Sequence, residues 1–364
     1  MRKRYGWMLV ALCMMLLLAA CGSGSAGGSS GSSSAEPAGA QAGDSPAPAE
    51  DTKPIELSYA FFAPAGTFPA KQMEKWKEEL ENRTNGKVVV NLFPGGTLLD
   101  AANMYDGVRN GVADIGLSVM TYDPGKFPLM TIAELPHGFP SGKVASQVVY
   151  DLMQEYPQEA FSDMKVITAF ATEPAYIQSK KPIASLADIQ GKQLRISGAL
   201  APLLAELGAA PVGMSQSEAV EAMQTGVIEG YVSSREVLMD LKFAEMAPFW
   251  TDYPLTVSTF AAVMNKDKWD SLPPDVQAVI DELAPEMAAW AGEYLDDHVK
   301  ESLDWSASEH NLQTVELSPE EKALWDAKLA PLQEKAVADL QAQGLPAEEF
   351  KKRLDELKEQ YSSQ

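Results

Sequence analysis

The alternation of strand and helix periodicities between Ile55 and Val119 limits the fold of this chain more than any other feature. Ile55–Phe61 alternates loosely and is rich in β-formers, which predicts a strand. Pro69–Asn82 carries Met73, Trp76 and Leu80 on one helical face, with lysines and glutamates on the other. Asn85-Gly86 then marks a turn, and Lys87–Phe93 is a second β-branched, apolar run. Pro94-Gly95-Gly96 breaks the chain, Leu99–Asn110 reads as a helix stopped by Gly111, and Ala113–Val119 as a third strand. A β-α-β-α-β order specifies a parallel sheet covered by helices.

A second run of the same kind follows. Lys143–Tyr156 reads as a helix and Met164–Ala171 as a strand. Then come strand Gln193–Ile196, helix Ala199–Leu207, strand Pro211–Met214, helix Ser217–Thr225 and strand Gly230–Val232. Phe260–Met264 is a further strand, and Pro274–Ser308, Pro319–Gln343 and Ala347–Gln360 are helical. Roughly 310 residues from Pro54 onward exceed what one core usually serves, so two lobes with a cleft between them are expected. Ligands bind such folds at strand C-termini and helix N-termini.

The N-terminal segment has a different character. Arg2, Lys3 and Arg4 precede an apolar run, Met8–Leu18, that is shorter than the ~20 residues of a spanning helix. Leu18-Ala19-Ala20-Cys21 resembles a bacterial lipobox, which makes residues 1–20 a signal peptide and Cys21 a lipidation site. Gly22–Asp51 is almost wholly Gly, Ser, Ala and Pro, a composition that buries too little apolar surface to order itself. Residues 21–53 are therefore expected to form a tether with a mean reach of about 30 Å. Cys13 leaves with the signal, so the folded part has no thiol chemistry, and His137, His298 and His310 lack ligand spacing. No cofactor or metal is expected. The net charge falls from −22 to −25 once Arg2, Lys3 and Arg4 are removed, which argues against nucleic acid as a partner. Any anion site must then concentrate positive charge locally, against the field of the whole chain.

The most informative stretch is Lys181–Gly230. It contains Lys181-Pro182-Ile183, then Asp188-Ile189-Gln190-Gly191-Lys192-Gln193-Leu194-Arg195 and Gly208-Ala209-Ala210-Pro211. Ser217-Glu218 and Ala222-Met223-Gln224-Thr225-Gly226-Val227-Ile228-Glu229-Gly230 complete it. In order and spacing it resembles the DctP-type solute receptors of tripartite ATP-independent periplasmic (TRAP) transporters. Gly95–Leu98 with Gly107–Gly116, and Leu272-Pro273-Pro274-Asp275-Val276-Gln277, resemble further blocks of that family.

The resemblance implies an α/β, two-lobed periplasmic-binding-protein-like fold with a ligand cleft between the lobes and long C-terminal helices. Lobe I is expected to comprise 54–172 with about 260–305, and lobe II 173–259 with about 306–364. The resemblance also implies a lipid-anchored receptor outside the cytoplasmic membrane that passes a small organic acid to TRAP membrane subunits. Arg195 matches the family's carboxylate-binding Arg, and a guanidinium suits that role because its planar fork meets a carboxylate bidentately. The alternative for Arg195 is a structural ion pair with a nearby acid. Candidate ligand contacts are Arg195, Tyr176, Gln178, Ser197, Gln216, Tyr231, Ser233, Phe62, Tyr122 and Tyr253.

Departures from the pattern bear on the ligand. Ala175 stands near the place of a second family Arg, Gln216 replaces an aromatic residue, Ser233 replaces Asn, and Glu229 replaces Asp. Fewer polar and cationic groups predict a monocarboxylate with a less polar body, aromatic if Phe62, Tyr122, Tyr176, Tyr231, Trp250 and Tyr253 reach the cleft. About half of those six are expected to be core packing instead. Closure is expected to hinge near Ala171–Tyr176 and Thr259–Val263.

Other function classes find less support. The chain has no P-loop, no Gly-x-Gly-x-x-Gly, no Gly-x-Ser-x-Gly and no His-Glu-x-x-His, so an enzyme is not expected. Glu134 with Glu173 is the one acid pair worth weighing for glycoside chemistry. A ligand-presenting subunit of a sensor, or the receptor of an ATP-driven importer, are the alternatives.

Overall fold

The computed structural model describes residues 53–363; the segments read as signal peptide, lipidated Cys21 and tether lie outside it, save Lys53. In chain order the strands are β1 (Ile55–Phe61), β2 (Val88–Phe93), β3 (Ile115–Val119), β4 (Met164–Ala171), β5 (Tyr176–Ser179) and β6 (Gln193–Ile196). They continue as β7 (Ala210–Gly213), β8 (Gly230–Ser233), β9 (Phe249–Thr251), β10 (Thr259–Asn265) and β11 (Gln313–Val315). They form two mixed sheets, ordered β2-β1-β3-β10-β4 and β11-β9-β5-β8-β6-β7.

In each sheet the crossing strand runs against the parallel set. β1 pairs parallel to β2 and β3, while β10 is antiparallel to β3 and β4. In the second sheet β6 is parallel to β7 and β8, and β5 is antiparallel to β8 and β9. The chain leaves the first sheet after β4 and returns along β10, and these two passages run side by side. Thr172 N–H donates to Ser258 O (3.0 Å), Ala175 N–H to Thr256 O (2.7 Å) and Leu255 N–H to Ala175 O (2.9 Å).

Burial explains why these segments are strands. Every residue of β3 is buried because both faces of the sheet are covered, so the small Gly116 and even the polar Ser118 lie inside with Ile115, Leu117 and Val119. Helix Phe68–Arg83 buries Met73, Trp76 and Leu80, the face expected from sequence. β4 and β6 occupy the limits expected, and helices begin at Pro274, Pro319 and Ala347 as expected.

Three expectations need correction. The helix expected from Leu99 begins only at Met104, because the Asp100 carboxylate accepts from Ala102 N–H (3.0 Å) and Asn103 N–H (3.2 Å), holding a turn. β5, β9 and β11 were not foreseen; each is only three or four residues long and too short for a period to show. The C-terminal helix Ala347–Ser362 was grouped with lobe II, yet Phe350, Leu354 and Leu357 bury into the core of the first sheet. Phe350 packs edge-on to Tyr156 (5.1 Å), and Arg353 pairs with Glu155 (2.7 Å).

The long helix Pro274–His310 ties the two sheets together. Ile280, Leu283, Met287 and Leu295 pack in the first core, and Leu303 and Trp305 reach a cluster under β8 that contains Tyr231 and Phe243. At Gly292 it crosses helix Gly142–Glu155 so closely that a Cβ would lie 2.6 Å from the Lys143 Cα. Among the described residues no helix is long and apolar enough to cross a membrane.

Candidate ligand cleft

The alternation of β6 sends Arg195 one way and Leu194 and Ile196 the other. The two aliphatic side chains enter the core of the second sheet, and Arg195 faces the cleft. It is 4% exposed. Its Nε–H donates to Met214 O (2.9 Å), Nη1 donates to Gln216 Oε1 (2.6 Å) and Val232 O (3.3 Å), and Nη2 donates to the Tyr122 hydroxyl (3.0 Å). No carboxylate lies within ion-pair distance of it among the described residues, so the structural ion pair weighed from sequence is not there. A buried guanidinium without a counter-ion is costly, and an incoming anion relieves that cost.

The cleft wall comes from strand ends of both sheets. Phe62 follows β1, Tyr122 closes the turn after β3, Thr172 follows β4 and Ser258 precedes β10. The second sheet supplies Arg195 from β6, Gln216 from the start of helix Gln216–Thr225 and Ser233 from the end of β8. Together they enclose a narrow cavity that leaves about 50 Å³ for the centres of water-sized molecules. Phe61, Phe68 and Phe260 supply an apolar wall. A wider opening of about 490 Å³ lies between Asp100–Ala102 and Tyr122 on one side and Gly213–Ser215 and Glu218 on the other.

Two contacts clasp the sheets across this cleft. Tyr122 comes from the first sheet, yet its hydroxyl accepts from both Arg195 Nη2 and Gln216 N–H (2.9 Å). Asp240 ends the short helix Val237–Asp240 that follows β8 of the second sheet, yet its Oδ2 accepts from Phe68 N–H (3.1 Å) at the start of helix Phe68–Arg83. Asp240 Oδ1 meets His298 Nε2 at 2.7 Å, and that hydrogen bond raises the imidazole pKa to about 8. Glu236, one helical turn before Asp240, also lines the cavity. Burial, reinforced by the Asp240 charge, raises its pKa to about 8.

Of the ten residues expected at the ligand, the cavity gathers Arg195, Tyr122, Phe62, Gln216 and Ser233. The other five lie elsewhere. Gln178 and Tyr231 share a sheet face with Arg195, but the Tyr231 hydroxyl donates to Gln178, whose amide donates to Ser233 O (2.9 Å) and Ser234 O (3.1 Å). The Arg235 guanidinium lies over the Tyr176 and Trp250 rings at 4.4 and 4.6 Å, the two rings meeting edge to face. Tyr253 donates to Asp326 (2.6 Å) and packs on Trp325. Ser197 lies at the strand end beside Gly198, which lines the wider opening.

Arg235, the other guanidinium near the crossing strands, is committed to Glu173 through bonds of 3.0 and 2.7 Å. Ala175, near the place of a second family Arg, sits in the bridge to Thr256. The acid pair Glu134 and Glu173 is divided. Glu134 accepts from Thr259 N–H (2.8 Å), and burial raises its pKa to about 7, while Glu173 holds Arg235. Sequence reasoning missed Glu236, Asp240, Thr172 and Ser258. The Glu236/Asp240 spacing of one helical turn was the available signal.

Comparison with known proteins agrees with this architecture. The family Bacterial extracellular solute-binding protein, family 7 (DctP) matches residues 59–339. The C4-dicarboxylate-binding periplasmic protein DctP of Rhodobacter capsulatus is 24% identical over 304 residues, 81% of this chain and 90% of that protein. A TRAP periplasmic solute-binding protein of Desulfovibrio salexigens is 43% identical, with a TM-score of 0.76 over 85% of this chain and 97% of that one. A marine-metagenome TRAP solute-binding protein specific for aromatic acid ligands, solved with 3-hydroxybenzoate, is 28% identical, with a TM-score of 0.80 over 85% of this chain and 99% of that one. The family is one of transport receptors rather than enzymes. The chain belongs to the DctP family of bacterial extracellular solute-binding proteins and is a TRAP-type solute-binding protein.

Proposed function

We propose that this protein captures a small monocarboxylic acid outside the cytoplasmic membrane, holds it through Arg195, and delivers it to TRAP membrane subunits. The observation that carries this reading is a buried, cleft-facing guanidinium with no carboxylate partner among the described residues, in a chain of net charge −22. The Tyr122 oxygen on Nη2 sits where a carboxylate oxygen would accept. Relatives support the ligand class. The marine-metagenome relative, 28% identical, is specific for aromatic acid ligands and was solved with 3-hydroxybenzoate.

A monocarboxylate follows from the charge inventory. Arg235 is neutralised by Glu173, which leaves Arg195 as the cation facing the cavity. Phe61, Phe62, Phe68 and Phe260 favour an apolar or aromatic body. Binding requires an open form, because the cavity between the clasped sheets is too narrow for such an acid to enter. In this reading the hinge is the side-by-side passages 171–176 and 255–259, which divide lobe I from lobe II; the second expected hinge segment, Thr259–Val263, lies within buried β10, so the hinge is placed just before it. Ligand shifts the equilibrium only by preferring the closed form. Lipidation at Cys21 would hold the receptor at the membrane.

The test is a melting-temperature screen of the chain from Gly22 onward against mono- and dicarboxylates, aromatic acids, sugars and amino acids. Ligand at a hundredfold excess over Kd stabilises the native state by about 2.7 kcal/mol, a clear upward shift. Shifts confined to monocarboxylates and lost in Arg195→Ala are expected. Shifts from sugars alone, or shifts indifferent to Arg195, contradict the reading.

A further inference from the structure

The same cavity holds a second polar group that the arginine reading leaves unused. The Glu236 carboxyl is 3% exposed. Its Oε1 accepts from the Ser234 hydroxyl at 2.8 Å. Its Oε2 is buried and has no hydrogen-bond partner among the described residues. Among the described residues no ion pair joins Glu236 to Arg195, and both groups line one cavity together with Phe61, Phe62, Phe68 and Phe260. A buried oxygen left without a partner is costly, and a ligand group that reaches it recovers that cost.

We propose that Glu236 is the second recognition pole of this site and that the acid received there carries a hydroxyl group remote from its carboxylate. The proposal rests on the Arg195 reading and adds a condition to it. A hydroxyl answers Glu236 in either protonation state, accepting from a carboxylic acid O–H or donating to a carboxylate. An ammonium group fits less well. Asp240 is the other acid lining the cavity, and its oxygens are already engaged by His298 and Phe68 N–H, so no uncompensated negative charge awaits a cation there. Burial and the nearby Asp240 charge raise the Glu236 pKa, so a ligand hydroxyl that accepts from the acid suits this oxygen as well as one that donates to the carboxylate.

Calorimetric titration with matched acids tests this. Benzoate is compared with its three ring-hydroxylated isomers, butanoate with 4-hydroxybutanoate, and 4-hydroxymethylbenzoate with 4-aminomethylbenzoate. At least one hydroxy acid should bind tenfold or more tightly than its unhydroxylated parent. That preference should vanish in Glu236→Leu and persist in Glu236→Gln, whose amide also donates and accepts. Melting curves of the empty variants confirm folding, and Glu236→Met, which keeps the side-chain length without a hydrogen-bonding group, carries the test if Glu236→Leu does not fold. Equal binding of parent and hydroxy acid, or a preference that survives Glu236→Leu, overturns the proposal. A preference for the aminomethyl acid overturns it in favour of a cation site. If no acid binds and Arg195→Ala changes nothing, the receptor reading itself has failed, and Glu236 has no role in it.

Discussion

Arg195 and Glu236 line one cavity, and the protein has answered them differently. Every nitrogen of the Arg195 guanidinium finds an oxygen: Met214 O, Gln216 Oε1, Val232 O and the Tyr122 hydroxyl. What Arg195 lacks, among the described residues, is a counter-charge. Glu236 has a neighbouring hydroxyl for one oxygen and nothing for the other. What it lacks is a hydrogen bond. The contrast separates two kinds of selectivity. In the proposed reading the arginine end selects an anion, and the ligand there exchanges with groups already in place. The glutamate end selects shape and polarity, and the ligand there adds a bond the empty protein does not make.

The comparison can be broken first at the arginine. Arg195→Ala removes both the charge and the fork and should weaken acid binding a hundredfold or more by calorimetry. Arg195→Lys keeps the charge and should recover only part of it, because an ammonium cannot meet a carboxylate bidentately. If Lys binds as tightly as Arg, the geometry of the fork is not what holds the ligand.

The glutamate end can be sharpened by pH. Glu236 and Glu134 have native pKa values raised from 4.5 to about 8 and about 7, so the folded state keeps protons that the unfolded state releases. Stability therefore falls as pH rises above about 4.5 and through those values. The His298 pKa is raised from 6.5 to about 8 beside Asp240, so its contribution is complete below 6.5 and is lost as pH rises through 8. Between 6.5 and 8 all three act in one direction, and denaturant unfolding should show a loss on the order of 1 kcal/mol per pH unit. Glu236→Gln should flatten that slope. An unchanged slope would mean that Glu236 is ionised in the empty protein.

The smallest effect concerns the clasp. Tyr122→Phe removes the oxygen that joins Arg195 and Gln216 to the first sheet. Small-angle scattering should show a larger radius of gyration for the empty variant and an unchanged one with acid bound. Identical empty radii for Tyr122→Phe and the parent protein would show that Tyr122 does not hold the cleft shut.

The sequence carried the scaffold and the arginine end far better than the glutamate end. Strand β6 and its Arg195 lie inside a dense motif, and the apolar alternation of Leu194 and Ile196 fixes which way Arg195 points. Tyr231 and Gln178 were misjudged although they share its face, because period two gives the face of a side chain and not its partner, and these two satisfy each other. Tyr253 and Tyr176 were misjudged because Asp326 and Arg235, their partners, are distant in sequence. Apart from its one-turn spacing to Asp240, nothing in the sequence singles out Glu236, because acids are abundant in this chain and only tertiary packing leaves this one dry.

A crystal structure of the protein with its tightest-binding acid tests the two-pole account most directly. The carboxylate should lie on the guanidinium of Arg195, with the Tyr122 hydroxyl displaced or shared, and a ligand hydroxyl should lie within hydrogen-bond distance of Glu236 Oε2. An acid seated in the wider opening beside Asp100 and Glu218, away from Arg195, would contradict it.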